Sequence, residues 1–475
     1  MLRIHFLIGL FAVLLSGCVY LRRHETPVIA NTPPDYLSAP VATFIDEPWW
    51  PAFQDSTLTR LIEDALASSP TMDIALARME QLQAAYRYVA ASRLPSVSTS
   101  GTVHTGDQQL VERYNDNFRT TSVRANTVYE IDFWQKLSSN RRRAAAELIA
   151  SRNDAYTSVM ALTSQVARTY YTLVRVRAEL TLLHNAEAAY VEDSIAVQTR
   201  NTFNPVTSPD YYQTLHSLAQ TRALIELTAV SLDTEEHALA ILLGHYPRTS
   251  LNMAVDTLVH GLDTIRAGLP AELLQRRPDI QAARARLAAA DYGWAEAYAE
   301  RFPSFSLTGS GGNVSHDLID AINPAKMTLS IATGLTLPIF EGGRLKAQYE
   351  GAGAAFREVA ANYTNTVLNA FREVEDALTL GRHQVDVIHQ LELAQAAADS
   401  SLAVANREYH NGTGDHLSVA MAQTTSLDAA RNVITARFDL LTYRIDLATA
   451  LGGSWTEDAV EKYARTRGPV PLEKK

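Results

Sequence analysis

A single cysteine, Cys18, stands in 475 residues, so no intrachain disulfide can be built in any compartment. No Lys/Arg-rich run is long enough to neutralise a phosphate backbone, the formal charge is −10 and the pI is about 5.7. Nucleic acid is thereby excluded as a partner, because nothing is concentrated enough to neutralise a phosphate backbone. Past the N-terminus no run of 18 apolar residues occurs, which removes the transmembrane helix from consideration. HExxH, a nucleophile elbow, a Walker loop and CxxC are all missing, so the chain offers no arrangement for metal-assisted hydrolysis, acyl transfer, phosphate cradling or thiol exchange. The histidine pairs His383/His389 and His410/His416 are six residues apart, not the i,i+4 spacing that ligates a metal on one helix face, and read as solvated surface groups. An enzyme has no residues to hold it, and no cofactor is expected.

The first residues, MLRIHFLIGLFAVLLSGC, carry Arg3, an apolar stretch from Phe6 to Leu15 and then small residues, the layout of a secretory signal peptide over 1–17. Leu15-Ser16-Gly17-Cys18 resembles the bacterial lipobox, which implies a covalent lipid on Cys18 as the first residue after cleavage. The alternative is an ordinary signal peptide with an incidental cysteine. Val19, not Asp, follows the cysteine, which implies sorting to the outer membrane of a Gram-negative bacterium. Residues 18–48 contain five prolines and no helical period, and read as an extended tether behind the lipid.

Beyond the tether the chain is written twice. ASRLPSVSTSG at 91–101 and AERFPSFSLTG at 299–309 agree at six of eleven positions, 208 residues apart. The same offset pairs Pro70 with Pro278, Arg78 with Arg286, Ile131 with Ile339, Leu137 with Leu345 and Leu243-Gly244 with Leu451-Gly452. One offset without slippage indicates an internal duplication of a unit too long for a solenoid repeat. The expected organisation is a first repeat over 49–250, a second over 251–455 and a C-terminal tail over 456–475.

Within each repeat the period changes. Leu58, Leu61, Ile62, Ala65 and Leu66 form one helical face with Asp55 or Ser56 as cap, and Pro70 starts a second helix to about Arg93. After Pro95 and Pro303 the period becomes two. In MTLSIATGLTLP, Met327, Leu329, Ile331, Leu335 and Leu337 alternate with Thr328, Ser330, Ala332, Gly334 and Thr336, a strand with one apolar and one small polar face. Its counterpart places Val123, Ala125, Tyr129 and Ile131 opposite Arg124, Asn126 and Glu130. Each repeat thus supplies two strands of roughly 10 residues, long enough to cross an outer membrane when tilted, joined by polar loops near 106–118 and 313–325. Helices follow on a larger scale: 134–204 lacks Gly and Pro, then about 210–243; in the second repeat, about 341–411, a turn at NGTGD, then 416–451. The helices alone would suit a structural coiled-coil lipoprotein. The strands do not, because a membrane sheet must close on itself, and three chains of four strands would make a 12-stranded barrel with a lumen.

WW-PAF-D-LTRLI, YEIDFWQKL, LPAELLQRRPDI, FPSFSLTGS, LPIFEGGRL, AFREVEDAL and ALGGSW span nearly the whole mature chain and together resemble the outer-membrane factor, TolC-like lipoprotein family of tripartite efflux systems. That resemblance implies a mixed α/β membrane protein in which four transmembrane β-strands per chain complete a 12-stranded trimeric β-barrel and long α-helices form a periplasmic α-barrel. It further implies a passive homotrimeric exit duct, held in outer-membrane lipid, that receives drugs or other small solutes from a periplasmic adaptor protein and an inner-membrane transporter. An exit duct for type I protein secretion shares the same expectations. Gln135 stands where the family shows Gly, as at Gly343, so that turn is expected to be strained differently. The family's periplasmic gate follows the second-repeat turn in a pattern like L-D-L-L-D-A-Q; here Leu417 and Gln423 match, while Ser418 and Met421 replace both acids. The resemblance therefore implies a gate of Leu417 and Met421, with Asp415 and Asp210 either supplying the acidic lining or serving as helix N-caps.

Overall fold

The structure is a computed structural model and describes residues 47–108, 116–200, 209–247 and 270–467. The signal peptide, Cys18, the tether up to residue 46 and the boundary between the repeats lie outside these residues. In chain order the helices are α1 (Ser56–Ser68), α2 (Pro70–Ala91), α3 (Lys136–Arg200), α4 (Pro209–Leu242), α5 (Pro270–Arg276), α6 (Pro278–Ala299), α7 (Leu318–Ala321), α8 (Arg344–Asn411), α9 (His416–Leu451) and α10 (Trp455–Arg467). The strands are β1 (Ser96–Gln108), β2 (Asp116–Ile131), β3 (Ser304–Ser315) and β4 (Thr328–Thr336). The duplication is kept to the residue: α2 and α6 begin at Pro70 and Pro278 and end at Ala91 and Ala299, and β1 and β3 start at Ser96 and Ser304. Gly244 and Gly452 both have positive φ, 75° and 72°, and at both a Cβ would press on the carbonyl of the equivalent residue, Ser68 and Arg276 respectively.

Two compact units emerge, and each draws on both repeats. The first comprises 79–152 and 282–365 and holds a four-stranded antiparallel sheet in the order β1-β2-β3-β4. Register decides its faces. Val97↔Thr127, Val123↔Asn313, Tyr129↔Leu307 and Phe305↔Leu335 put odd-numbered residues on one side, and Ser98↔Asn126, Asn126↔Ser310 and Ser310↔Ser330 put even-numbered ones on the other. The odd face is apolar and exposed, with Ile331 at 82% and Leu329 at 86%. The even face is laced by hydroxyls, Thr102 to Ser122 at 2.6 Å and Ser310 to Ser330 at 2.8 Å. Where the strands meet the helices, Trp134 stacks on Phe302 at 4.8 Å and donates its Nε1–H to the Pro303 carbonyl at 2.8 Å, while Phe133 lies 5.7 Å from Phe305. An apolar band ending in such aromatics is the composition of a strand surface passing from hydrocarbon to interface.

The turn from β2 into α3 is built by Asp132, whose carboxylate accepts the N–H groups of Leu137 at 2.9 Å and Ser138 at 2.8 Å. Gln135 sits there at φ 60°, the conformation that Gly343, with φ 87°, adopts without a Cβ. The expected strain is thus located in one residue. Two expectations change in this unit. The strands are 13, 16, 12 and 9 residues long, not uniformly near 10. The second connection is no plain polar loop: after Ser315 comes α7, whose backbone accepts from Asn313 at 2.7 Å and whose Ala321 is buried, then a 3₁₀ turn at Pro324–Lys326.

The second unit comprises, among described residues, 47–78, 153–200, 209–247, 270–281 and 366–467. Its core is aromatic at one end: Trp50 meets Trp455 edge-on at 5.0 Å, Phe53 meets Tyr171 at 5.9 Å, and Leu58 and Ile62 are fully enclosed. Asp55 caps α1 through Thr57 and Leu58 and also accepts the Tyr170 hydroxyl at 2.9 Å, so one buried carboxylate serves a helix start and a partner 115 residues away. Residues 456–475, read as a tail, begin instead inside α10, whose Val460, Tyr463 and Ala464 are buried and whose Tyr463 hydroxyl donates to Asp73 at 2.6 Å. The long helices α3 and α8, 65 and 68 residues, would each run roughly 100 Å at about 1.5 Å per residue. Ion pairs tie the helices laterally: Arg177–Glu236 joins α3 to α4 at 2.8 Å, Arg431–Glu179 joins α9 to α3 at 2.5 Å, and Arg437–Glu392 joins α9 to α8 at 2.7 Å. Of the apolar set on α8, Val367 and Val374 are buried but Leu368 is exposed.

Candidate functional site

The candidate door lies at the start of α9. The NGTGD turn ends α8 by folding the Thr413 and Gly414 N–H groups back onto the Glu408 carbonyl at 3.0 and 3.1 Å. Asp415 then caps α9, accepting the Ser418 N–H at 2.8 Å. Hydrogen bonds from the Ser418 side chain and backbone hold its carboxyl below the usual carboxylate range. Of the two roles considered for Asp415, the capping one is realised. Asp210 lies in the first turn of α4, where its carbonyl accepts the Thr214 hydroxyl at 3.1 Å.

Leu417 and Met421, four residues apart on α9, are 56% and 64% exposed, and Ser418 is exposed beside them. The opposite side of the same turns is buried through Val419, Ala420 and Ala422. An apolar pair standing out from a well-packed helix is the arrangement a constriction between copies would need. Gln423, the other matching position, is half-buried.

His416 corrects the reading of a solvated histidine. It is 2% exposed, whereas His383, His389 and His410 are at the surface as expected. Its Nε2 lies 2.8 Å from Asp193 Oδ2 of α3 and 3.2 Å from Thr214 Oγ1 of α4, and Thr214 also donates to Asp193 at 3.3 Å. The Tyr409 ring of α8 packs edge-on 5.5 Å away. The hydrogen bond to Asp193 is the main cause that raises the imidazole pKa above its ordinary value, against the opposing effect of burial; Asp210 and Asp415 add attraction. Four helices are thus held at one point immediately next to Leu417. Sequence reasoning missed Asp193 and Thr214, which are 223 and 202 residues from His416 and carry no local motif. Cys18 lies outside the described residues.

A wall with one apolar and one polar face, set in a chain with long helical hairpins, defines a class of membrane duct, and the comparisons place the chain within it. The profile of the outer membrane efflux protein family matches residues 61–245 and 269–453, two segments again 208 apart. The chain belongs to the outer membrane efflux protein family. It is 29% identical over 465 residues to a probable efflux pump outer membrane protein, TtgC, of Pseudomonas putida, covering 94% of both chains. It is 29% identical to outer membrane protein OprJ of Pseudomonas aeruginosa, covering 94% of this chain and 95% of that one. Among solved structures, the Campylobacter jejuni CmeC outer membrane channel superposes with a TM-score of 0.85 at 22% identity over 93% of this chain and 98% of that one, which shows the shared fold. The expected outer-membrane efflux role, in place of an enzyme, accords with this membership.

Proposed function

We propose that three copies of the chain assemble into the passive exit duct of a tripartite efflux pump, with a 12-stranded barrel in the outer membrane and a helical tunnel in the periplasm. The observation that carries this reading is the sheet. It has four antiparallel strands, an exposed apolar face, and two edges, β1 and β4, with no partner strand among the described residues. In hydrocarbon each unpaired backbone group costs several kcal/mol, so both edges call for the neighbouring copy. Solutes such as drugs would reach the duct from an inner-membrane transporter through a periplasmic adaptor, and Cys18 would carry a lipid as an accessory anchor. At the tunnel tip, Leu417 and Met421 would meet around the three-fold axis as an apolar door. Asp415, committed to its cap, and Asp210 would contribute only a background negative field.

The test is the mass and partners of the full-length protein extracted from outer membranes. A detergent-stable, heat-dissociable species of three 52.2 kDa chains, less the cleaved leader, that co-purifies with an adaptor and a transporter is the expected result. A monomer with no heat-modifiable β structure would remove the duct.

A further inference from the structure

The polar face of the sheet carries very little charge. Over residues 96–104, 120–130, 304–314 and 328–336, its even-numbered positions are Ser, Thr, Asn, Gly, Ala and Val, apart from His104, Arg124 and Glu130. Glu130 is neutralised by an ion pair with Lys136 at the helix end of the strand. Arg124 stands at the midpoint of β2, which runs from 116 to 131, and no carboxylate among the described residues lies within ion-pair distance of it. Its neighbours in the sheet, β1 and β3, and the edge strand β4 present no acid on that face over the same residues.

The position is also furnished with a seat. Gly312 of β3 pairs with Arg124 in register, and a Cβ there would come within 2.7 Å of both Arg124 Cα and Cγ. The Val123 carbonyl oxygen would be closer still, so glycine at 312 is required first by the β2 backbone, and its missing side chain also leaves the first carbons of the Arg124 side chain clear of β3. A guanidinium remains charged at every accessible pH and is the group of choice for anionic oxygens.

From this placement, and resting on the trimeric-duct reading, we infer that Arg124 is the charge-selectivity determinant of the barrel: three guanidinium groups, each beside Gly312, form a cationic ring in a stretch of lumen wall that is otherwise neutral over the residues named. Anionic solutes are admitted at the outer exit, and cationic ones are retarded. A ring of fixed charge acts through the solution, so its reach is the Debye length, about 30 Å at 0.01 M salt and about 3 Å at 1 M.

The test uses purified full-length trimer in planar bilayers under a KCl gradient, with reversal potentials giving the chloride-to-potassium permeability ratio. Arg124→Gln should lower that ratio several-fold at low salt and Arg124→Glu should invert it, with both differences vanishing near 1 M; Ser330→Gln, on the same face, should behave as wild type. Equal ratios for wild type and Arg124→Glu at low salt overturn the proposal. If Arg124→Glu fails to assemble, Arg124→Cys modified after assembly with anionic or cationic thiol reagents should move the ratio in opposite directions, beyond any change in identically treated wild type, and no movement overturns it equally. Trimers that insert but never conduct would refute the duct itself. Conducting trimers indifferent to charge at 124 would refute only the role of Arg124.

Discussion

Replacing His416 with Gln would test whether the contact joining four helices restrains the door. The substitution removes an imidazole that is 1% exposed from beside the Asp193 carboxylate, 11% exposed, which also accepts from Thr214. Breaking a buried pair by removing one partner costs about 3–5 kcal/mol. Gln can still donate to Asp193, so about 2 kcal/mol is expected here, a roughly thirtyfold shift toward a frayed first turn of α9. Leu417 is the next residue, so fraying carries the door with it. The pH dependence has a defined sign. The folded pKa of His416 is raised by Asp193, so the stabilisation is fully present below the unfolded value of about 6.5 and is lost as pH rises through the folded value. Asp193 from α3, Asp210 from α4 and Asp415 at the start of α9 all favour the charged imidazole, while Tyr409 from α8 adds packing. Single-channel open probability should therefore be low in acid and climb at alkaline pH in wild type, and be high and nearly flat in His416→Gln. Superimposable profiles, or a wild-type channel that opens more readily in acid, would refute the reasoning.

Other consequences follow from the same geometry. Leu417→Ser should increase resting leak, and Met421→Asp should raise cation permeability, both read by conductance in bilayers. Ile331→Arg on the apolar face should cost about 2–4 kcal/mol per chain near the bilayer midplane while Ser330→Arg on the polar face is tolerated, measured as trimer yield in the outer membrane. Gln135→Gly should stabilise each chain by about 0.5–1 kcal/mol, since it relieves a positive φ at the expense of a more flexible unfolded chain, and Gly343→Gln should do the reverse; heat dissociation of the trimer on gels gives the sign of both. Cys18→Ala behind a non-lipoprotein signal should still yield membrane-embedded trimers, because acylation adds only about 0.8 kcal/mol per buried CH₂ to a barrel already held by its apolar band. A soluble periplasmic monomer would contradict it.

Much of the molecule was legible because its signals are local or repeated. Alternation of Leu329, Ile331 and Leu335 with Thr328 and Ser330 assigns both faces of β4 without knowledge of its neighbours, since a strand's period is two wherever it packs. Asp55 and Asp415 announce helix starts because capping depends on the next three residues. The offset of 208 locates Gly343 and Gln135 in equivalent turns, and so points to the strain at Gln135. Tertiary structure alone decided what lies far apart along the chain. His416 looks like any polar residue in a first turn until Asp193 and Thr214 arrive from two other helices, and its burial has no local correlate. Arg124 is one charge among many until register sets Gly312 opposite it. Helix α10 reads as a tail because its partners Trp50, Asp73 and Tyr156 are supplied only by the folded chain. Periodicity is a property of neighbours in sequence, whereas burial and charge pairing belong to neighbours in space.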